Sequence, residues 1–266
     1  MNQPLNTNPE IFPFAWASDW GQDEYGLWVA FTYKGVRQAF RWIPAGRFMM
    51  GSPESEAERD DNELLHEVIL TQGYWLADTA CTQALWQVVM GENPSEFKKD
   101  LNPVVRVSWH YVQEFINRLN NEQIGLDLRL PTEAEWEYAC RAGTTTPFSF
   151  GENMTPEQVN YNGKRPYLGA KEGLYREQTV AVKTLPCNSW GLYQMHGNVW
   201  EWCADWYGEY SGRTLIDPLG ADEGTRRVLR GGCWIRRAKY VRSASRHSDD
   251  PNNLRSRTGL RLARGQ

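Results

Sequence analysis

The chain has 266 residues, with 29 Lys and Arg against 33 Asp and Glu for a formal charge of -4, and 41% of it is hydrophobic. That is one domain of generous size or two small ones, and thirteen Trp, twelve Tyr and nine Phe beside 23 Gly and 14 Pro exclude a disordered chain and point to ordered, packed loops. Apolar stretches are short and interrupted, and the opening residues have neither a basic n-region nor an apolar h-region, so the sequence predicts no membrane contact, no signal peptide and a cytosolic location.

In chain order, Leu27 to Tyr33 and Val36 to Ile43 alternate aromatic and apolar residues with polar ones around a Lys34-Gly35 turn, which predicts a β-hairpin. Arg47 to Met50 adds a short strand after Pro44-Ala45-Gly46. Ser52 to Glu67 has seven acidic residues and no helical stripe, so it is expected to be a solvated surface loop leading into a strand over Glu67 to Leu70. Thr82 to Met90 and Ser108 to Leu119 each place apolar residues on one helical face, the first stopping at Gly91. Thr132 and Glu135 form a capping box for a third helix, with Gly143 to close it. Beyond Gly143 helical signals vanish, and short strands are expected at Gly197 to Trp202, Arg227 to Gly231 and Thr258 to Leu262. The expected organisation is α+β: an N-terminal hairpin extension over residues 1–40 and a main domain over 41–266.

Five cysteines, Cys81, Cys140, Cys187, Cys203 and Cys233, include no CxxC, which argues against a zinc or disulfide framework. Four scattered histidines give no helical metal pair. Charge is lopsided: residues 225–266 hold twelve Lys and Arg against Asp249 and Asp250 alone. A nucleic-acid partner is one explanation, but Gly, Trp and apolar residues run through the stretch. The favoured expectation is that its guanidinium groups bond to carbonyls and carboxylates of the chain's own acidic body.

Six phrases then occur in order: Arg47-Phe48-Met49-Met50-Gly51-Ser52, Pro103 to Trp109, Leu128 to Glu137, Gly191 to Trp202, Arg227 to Trp234 and Gly259-Leu260-Arg261-Leu262. Together they resemble the formylglycine-generating enzyme, or sulfatase-modifying factor, family from about residue 40 to the C-terminus. The resemblance implies the C-type-lectin-like fold, with little regular structure, twisted antiparallel sheets and a few flanking helices. The family's oxidases hold copper(I) between two cysteines about five residues apart, just after a Gly-Gly-Ser-Trp segment, because a soft cation needs paired soft thiolates. Here that stretch, Ile235 to Val241, has no cysteine, and Arg236 and Arg237 put positive charge where the metal would sit. Cys233 is expected to be core filler, with a pairing to Cys203 left open. An iron-using branch of the family takes its histidines from an added helical domain, for which the chain shows no counterpart.

Residues 235–258 contain no Glu, Gln, Met or Trp, although these make up 52 of the 266 residues; at that frequency roughly four or five would be expected in such a window. The Asn, Ser, Asp, His, Arg, Tyr, Leu, Ile and Thr that do occur are largely those reached by changing the adenines of an Asn AAC codon. This resembles the variable region of retroelement-diversified binding proteins, built on the same fold and the same Gly-Gly-x-Trp to Gly-x-Arg-Leu frame. The resemblance implies a non-catalytic ligand-binding protein. Its candidate contacts are Ile235, Arg236, Arg237, Tyr240, Ser243, Ser245, His247, Ser248, Asp249, Asp250, Asn253, Leu254, Arg255, Ser256 and Arg257 on a solvent-facing surface. The expected partner is a protein or other macromolecule rather than a nucleic acid, and no cofactor is required. The alternatives are a copper- or iron-dependent oxidoreductase and a fixed protein-interaction module. Gln194, Gly197, Val199 and Glu201 match positions of a structural calcium site in the family's enzymes, with Gln where the usual first ligand is Asn. Asn160 and Tyr161 echo part of a second site, whose Asp is not recognisable in residues 173–178. His196 is expected to be a satisfied structural histidine, and Trp136, Trp200, Trp202 and Trp234 to be core, each indole N–H needing an acceptor.

Overall fold

A computed structural model describes residues 8–265; residues 1–7 of the N-terminal segment and Gln266 lie outside the described residues. Among the described residues thirteen short strands and three α-helices form three sheets with helices against them. β1 (Asp19–Asp23), β2 (Gly26–Tyr33) and β3 (Val36–Ile43) lead into β4 (Gly46–Met50), β5 (His66–Leu70) and β6 (Tyr74–Ala77). The helices α1 (Gln83–Met90), α2 (Trp109–Glu122) and α3 (Glu133–Arg141) follow, with β7 (Leu128–Arg129) between the last two. The rest is β8 (Trp200–Trp206), β9 (Leu215–Ile216), β10 (Arg227–Arg230), β11 (His247–Asp249), β12 (Thr258–Leu260) and β13 (Ala263–Arg264), with one short 3-10 turn over Ala238–Val241.

The six-stranded antiparallel sheet runs β1-β2-β3-β6-β13-β7, the four-stranded sheet β11-β10-β8-β12 and the three-stranded sheet β4-β5-β9. Position 40 lies inside β3, which pairs with β2 on one side and β6 on the other (Phe40 opposite Ala77), so the hairpin is continuous with the main sheet. The end of the chain inserts between β6 and β7. A large core of Phe31, Phe40, Trp75, Trp86, Phe115, Trp202 and Leu260 lies where α1 and α2 meet the sheets, with Trp86 and Phe115 stacked at 4.8 Å. A second core, around Trp136, Cys140, Val68 and Cys203, sits under α3.

All three expected helices form, because their signals are local. Thr82, Ser108 and Thr132 each cap a helix with a side-chain oxygen, and Thr132 and Glu135 complete the capping box. The third helix ends on Ala142 in the left-handed region, one residue before Gly143. The strand expected over Gly197 to Trp202 starts only at Trp200, since Gly197 and Asn198 have positive φ (77° and 63°), and it runs on to Trp206. β6 gave no alternation to read, because all four of its side chains are buried.

The expectation of a merely solvated acidic loop is corrected. Glu56 and Glu63 of that loop are 8% and 0% exposed and both hold Arg242, which donates from Nη1 to Glu56 (2.5 Å) and from both Nη atoms to Glu63 (2.8 and 2.7 Å). The basic C-terminal stretch packs onto the acidic body as the sequence suggested. Arg246 forks onto Glu133 at 2.7 and 2.8 Å, Arg261 onto Glu201 at 2.9 Å, and Arg230 bonds Glu137 and two carbonyls. Buried charge is tolerated only when paired and hydrogen-bonded in this way. Among the described residues no helix is long and apolar enough to cross a membrane.

Candidate functional site

The candidate segment begins at Gly231 and Gly232, both with positive φ (91° and 74°). A Cβ on Gly232 would stand 2.4 Å from the Tyr240 carbonyl oxygen and the Val241 side chain, so only glycine permits this reversal. The chain then passes through buried Cys233 into the 3-10 turn, tied to the body by the Asn162 N–H donating to the Arg236 carbonyl (2.9 Å) and the Ser243 N–H donating to that of Pro147 (2.8 Å).

Around that turn the sequence-predicted residues gather on Tyr240. Arg236, Arg237 and Lys239 place their cationic groups 5.3, 5.3 and 4.9 Å from its ring centroid, and Ile235 and Arg237 are exposed beside it. A second group lies on the loop after β11. Asp249 is buried and accepts from Asn253 Nδ2 (2.6 Å), Arg255 Nε (2.9 Å) and the Asp250 N–H (2.9 Å), which pins the loop while Asp250, Leu254 and Arg255 stand exposed. Burial pushes the Asp249 carboxyl up, but those hydrogen bonds outweigh it and hold it below the ordinary carboxylate range. Leu254, Arg255, Ser256 and Arg257 line a groove of about 380 Å³ with Glu96 and Arg106.

The two groups meet over Cys233 and His247. Burial pushes the Cys233 thiol up to about 11, only partly offset by the turn's N–H groups and by the charges of Arg257 and Arg236. Burial also lowers His247, with Arg236 and Arg257 adding to the effect, and its ring lies 5.1 Å from that of Trp200. The half-buried Ser248 offers its carbonyl to Arg226 (2.8 Å).

Three candidates are not displayed on this surface, which corrects the expectation for them: Asp249 is 6% exposed and is spent on pinning its loop, and the other two lie deeper. Ser243 and Ser245 are 0% and 1% exposed. The Ser243 hydroxyl faces Cys140 Sγ (3.8 Å), and the Ser245 carbonyl serves Arg230. They lie between the anchors Arg242 and Arg246, where the backbone is held inward. Tyr175, whose ring stacks on Trp234 at 6.1 Å, and Glu96 and Arg106 of the groove were missed, because they are distant in sequence and carry no local signal.

At the calcium positions the one carboxylate is already committed within the chain. Both Glu201 oxygens are committed, to Arg261 and to the Trp136 indole (2.7 Å), and a hard cation would have to displace the guanidinium. Gln194 donates from Nε2 to the Ala181 carbonyl (3.1 Å), and its Oε1 is buried without a partner. Gly197 and Val199 add only backbone atoms, and Gly197 already donates to the Gly231 carbonyl. Among the described residues no group of three His, Cys, Asp or Glu could hold a metal ion, and all five thiols are free. His196 is structural as expected: its Nδ1 faces the Val241 carbonyl (2.7 Å), its Nε2 the Ser149 N–H and hydroxyl (3.1 and 3.0 Å), and burial holds it near 4. Trp136 and Trp202 find indole acceptors, whereas the Nε1 atoms of Trp200 and Trp234 are buried without one among the described residues.

Against known proteins, the sulfatase-modifying factor enzyme 1-like domain matches residues 33–266. The formylglycine-generating enzyme of Streptomyces coelicolor is 32% identical over 228 residues, covering 79% of this chain and 70% of that one. A protein named serine/threonine-protein kinase pkn1 from Chlamydia caviae is 37% identical over 248 residues, 84% of this chain but only 37% of that protein's length. The solved structure of Treponema denticola variable protein 1 superimposes with a TM-score of 0.77 at 27% identity, over 90% of this chain and 99% of the other. The expected C-type-lectin-like α+β fold, dominated by sheets with few helices, is thereby shown.

Proposed function

The chain belongs to the sulfatase-modifying factor enzyme 1-like domain family, and from that premise we propose that it is a non-catalytic ligand-binding protein with a variable surface within residues 235–258, diversified by a retroelement. One observation carries this: the segment divides into anchors and display. Arg242 and Arg246 are sunk among carboxylates with the residues between them, while Ile235 and Arg237 before this buried stretch and Asp250, Leu254 and Arg255 after it stand exposed. Exposed residues can change freely only where their neighbours, not they, hold the backbone. The adenine-reachable composition and the likeness to a structure titled a variable protein support the same reading.

The partner it fits is a protein or other macromolecule with an acidic face. Tyr240 amid three cations is an amphipathic anchor of the kind that dominates binding energy, and Arg255 and Arg257 extend the positive rim. Nucleic acid is disfavoured, and weak salt dependence of binding would bear that out. No cofactor is needed, and five free thiols suit the cytosol.

Relatives of this chain include enzymes. An oxidase of their kind would need two thiolates after the Gly-Gly-x-Trp segment, and here Ile235 to Val241 offers none, only cations, while the nearby Cys233 thiol is buried and kept protonated. The test is a pair of displayed libraries. Randomising Ile235, Arg237, Tyr240, Asp250, Leu254 and Arg255 should leave the protein folded and yield binders to a chosen protein target; randomising Arg242, Ser243, Ser245 and Arg246 should unfold it. If the first library collapses like the second, or yields no binder, the proposal fails.

A further inference from the structure

Under the loop joining β8 to β10, against β4, β5 and the start of α3, lies a cavity of about 290 Å³. Of residues 235–258 only Arg246 reaches it, so it is separate from the display surface. Much of its wall is apolar, from Met50, Leu215, Pro218 and Ala221. An engineered apolar cavity of about 150 Å³ holds benzene, so this one has room for an aromatic ring with a short side arm.

Its polar groups are unusual in what they leave unmet. His66 is 2% exposed and its Nδ1 lies 2.8 Å from the Leu64 carbonyl oxygen, which fixes the proton on Nδ1. In the neutral ring Nε2 is then a lone pair, and it is buried and without a partner among the described residues. Beside it, in ring contact at 4.5 Å, is Tyr210. Asp205 and Glu133 bring two buried carboxyls, linked by the Glu133 N–H donating to Asp205 Oδ2 (2.8 Å). The facing cation, Arg246, stacks 3.6 Å from the Tyr210 centroid and has already placed four hydrogen bonds, on Glu133 twice and on the Asn62 and Gly208 carbonyls. Little of it remains to receive an anion, whereas the His66 ring nitrogen and the Asp205 carboxyl can take a donor, beside a Tyr210 hydroxyl that is also buried without a partner among the described residues.

We propose that this cavity binds a small amine on a short apolar or aromatic body, its ammonium donating to His66 Nε2 and lying against the Asp205 and Glu133 carboxyls. Burial, with the charge of Glu133 adding to it, pushes the Asp205 carboxyl up to about 8, so an ammonium beside it would favour its ionised form. The inference is independent of the function proposed above and stands or falls without it.

The probes are 2-phenylethylamine, 2-phenylethanol and 3-phenylpropionate, which share a body and differ in head group, titrated into the full chain by calorimetry with the His66 imidazole followed by NMR. The amine is expected to bind about tenfold or more tightly than the alcohol, the difference made by a charged hydrogen bond, and to shift the His66 signals; the acid is expected not to bind. Ala221→Phe fills the cavity from a half-buried position and should abolish binding. If that variant does not fold, His66→Phe keeps a ring and removes the lone pair, and should weaken the amine to the level of the alcohol. Equal binding of amine and alcohol, preference for the acid, no binding at millimolar amine, or unchanged affinity in a folded variant would each overturn the proposal.

Discussion

Replacing Arg242 by Met separates the frame of the binding segment from its display. The guanidinium makes three hydrogen bonds to Glu56 and Glu63 and two to the carbonyls of Lys239 and Glu58, with the arginine and Glu63 both 0% exposed. Met fills much of the volume but leaves two carboxylates buried without a cation, and breaking a buried pair in this way costs about 3–5 kcal/mol. At about 3 °C per kcal/mol for a chain of this size, the Tm should fall by roughly 9–15 °C. Burial already holds Glu56 above its ordinary value despite Arg242. Losing the cation raises it further, so the folded variant takes up protons and the loss should shrink as pH falls from 8 to 5. Replacing the two acids as well, in Arg242→Met with Glu56→Gln and Glu63→Leu, should recover most of the stability. Thermal unfolding by circular dichroism beside Arg255→Ala, whose pair with Asp249 is open to solvent on the arginine side and should be worth no more than about 1 kcal/mol, gives the comparison. If Arg242→Met melts within 3 °C of Arg255→Ala, estimated on the same scale, the segment has no buried frame and the division fails.

Once a partner is captured, Tyr240→Ala and Arg255→Ala should each weaken binding about tenfold or more, as hot-spot truncations do, with Tm nearly unchanged for Arg255→Ala and lowered for Tyr240→Ala by less than for Arg242→Met, since the ring is half-buried; a loss of stability equal to that of Arg242→Met would mark them as structural. Cys233→Ser should leave binding intact, and in the folded parent this thiol should alkylate far more slowly at pH 7.5 than a free cysteine, since burial holds it near 11; rapid labelling or copper(I) uptake would speak for the oxidase. Asp205→Asn keeps an oxygen for the Glu133 N–H. The folded Asp205 is raised from 3.8 to about 8, so its contribution to stability is fully present below pH 4 and is lost as pH rises through that window. The variant's Tm advantage over the parent should therefore grow from pH 5 to pH 8, and a constant or shrinking difference would contradict the assignment.

What could be read from the sequence was local or repeated. The capping box at Thr132 and Glu135 is complete within four residues, and the hairpin through Lys34-Gly35 folds on its own alternation. The pairing of arginines with the acidic body could be foreseen from charge asymmetry, but not its partners: Glu63 meets Arg242 across 179 positions. The acidic loop looked solvated because a carboxylate run reads the same whether it meets water or a buried guanidinium. Ser243 and Ser245 looked like display residues because their type is polar, and only the inward pull of Arg242 and Arg246 buries them. β13 is two residues long and was invisible as a strand, yet it joins β6 to β7. The amine cavity assembles His66, Glu133, Asp205 and Arg246 from four separate stretches, and no spacing rule unites them.

The encoding DNA and its flanks test the diversified surface most directly. A near-copy of the segment encoding residues 231–262 should lie close by, beside a reverse transcriptase gene, and differ from it only at adenines. Its differences should fall in the codons of exposed residues such as Ile235, Arg237, Asp250 and Leu254 and of the half-buried Tyr240, and spare those of Gly231, Gly232, Arg242 and Arg246. No such copy, or differences that strike the buried arginines as often as the exposed residues, would contradict it.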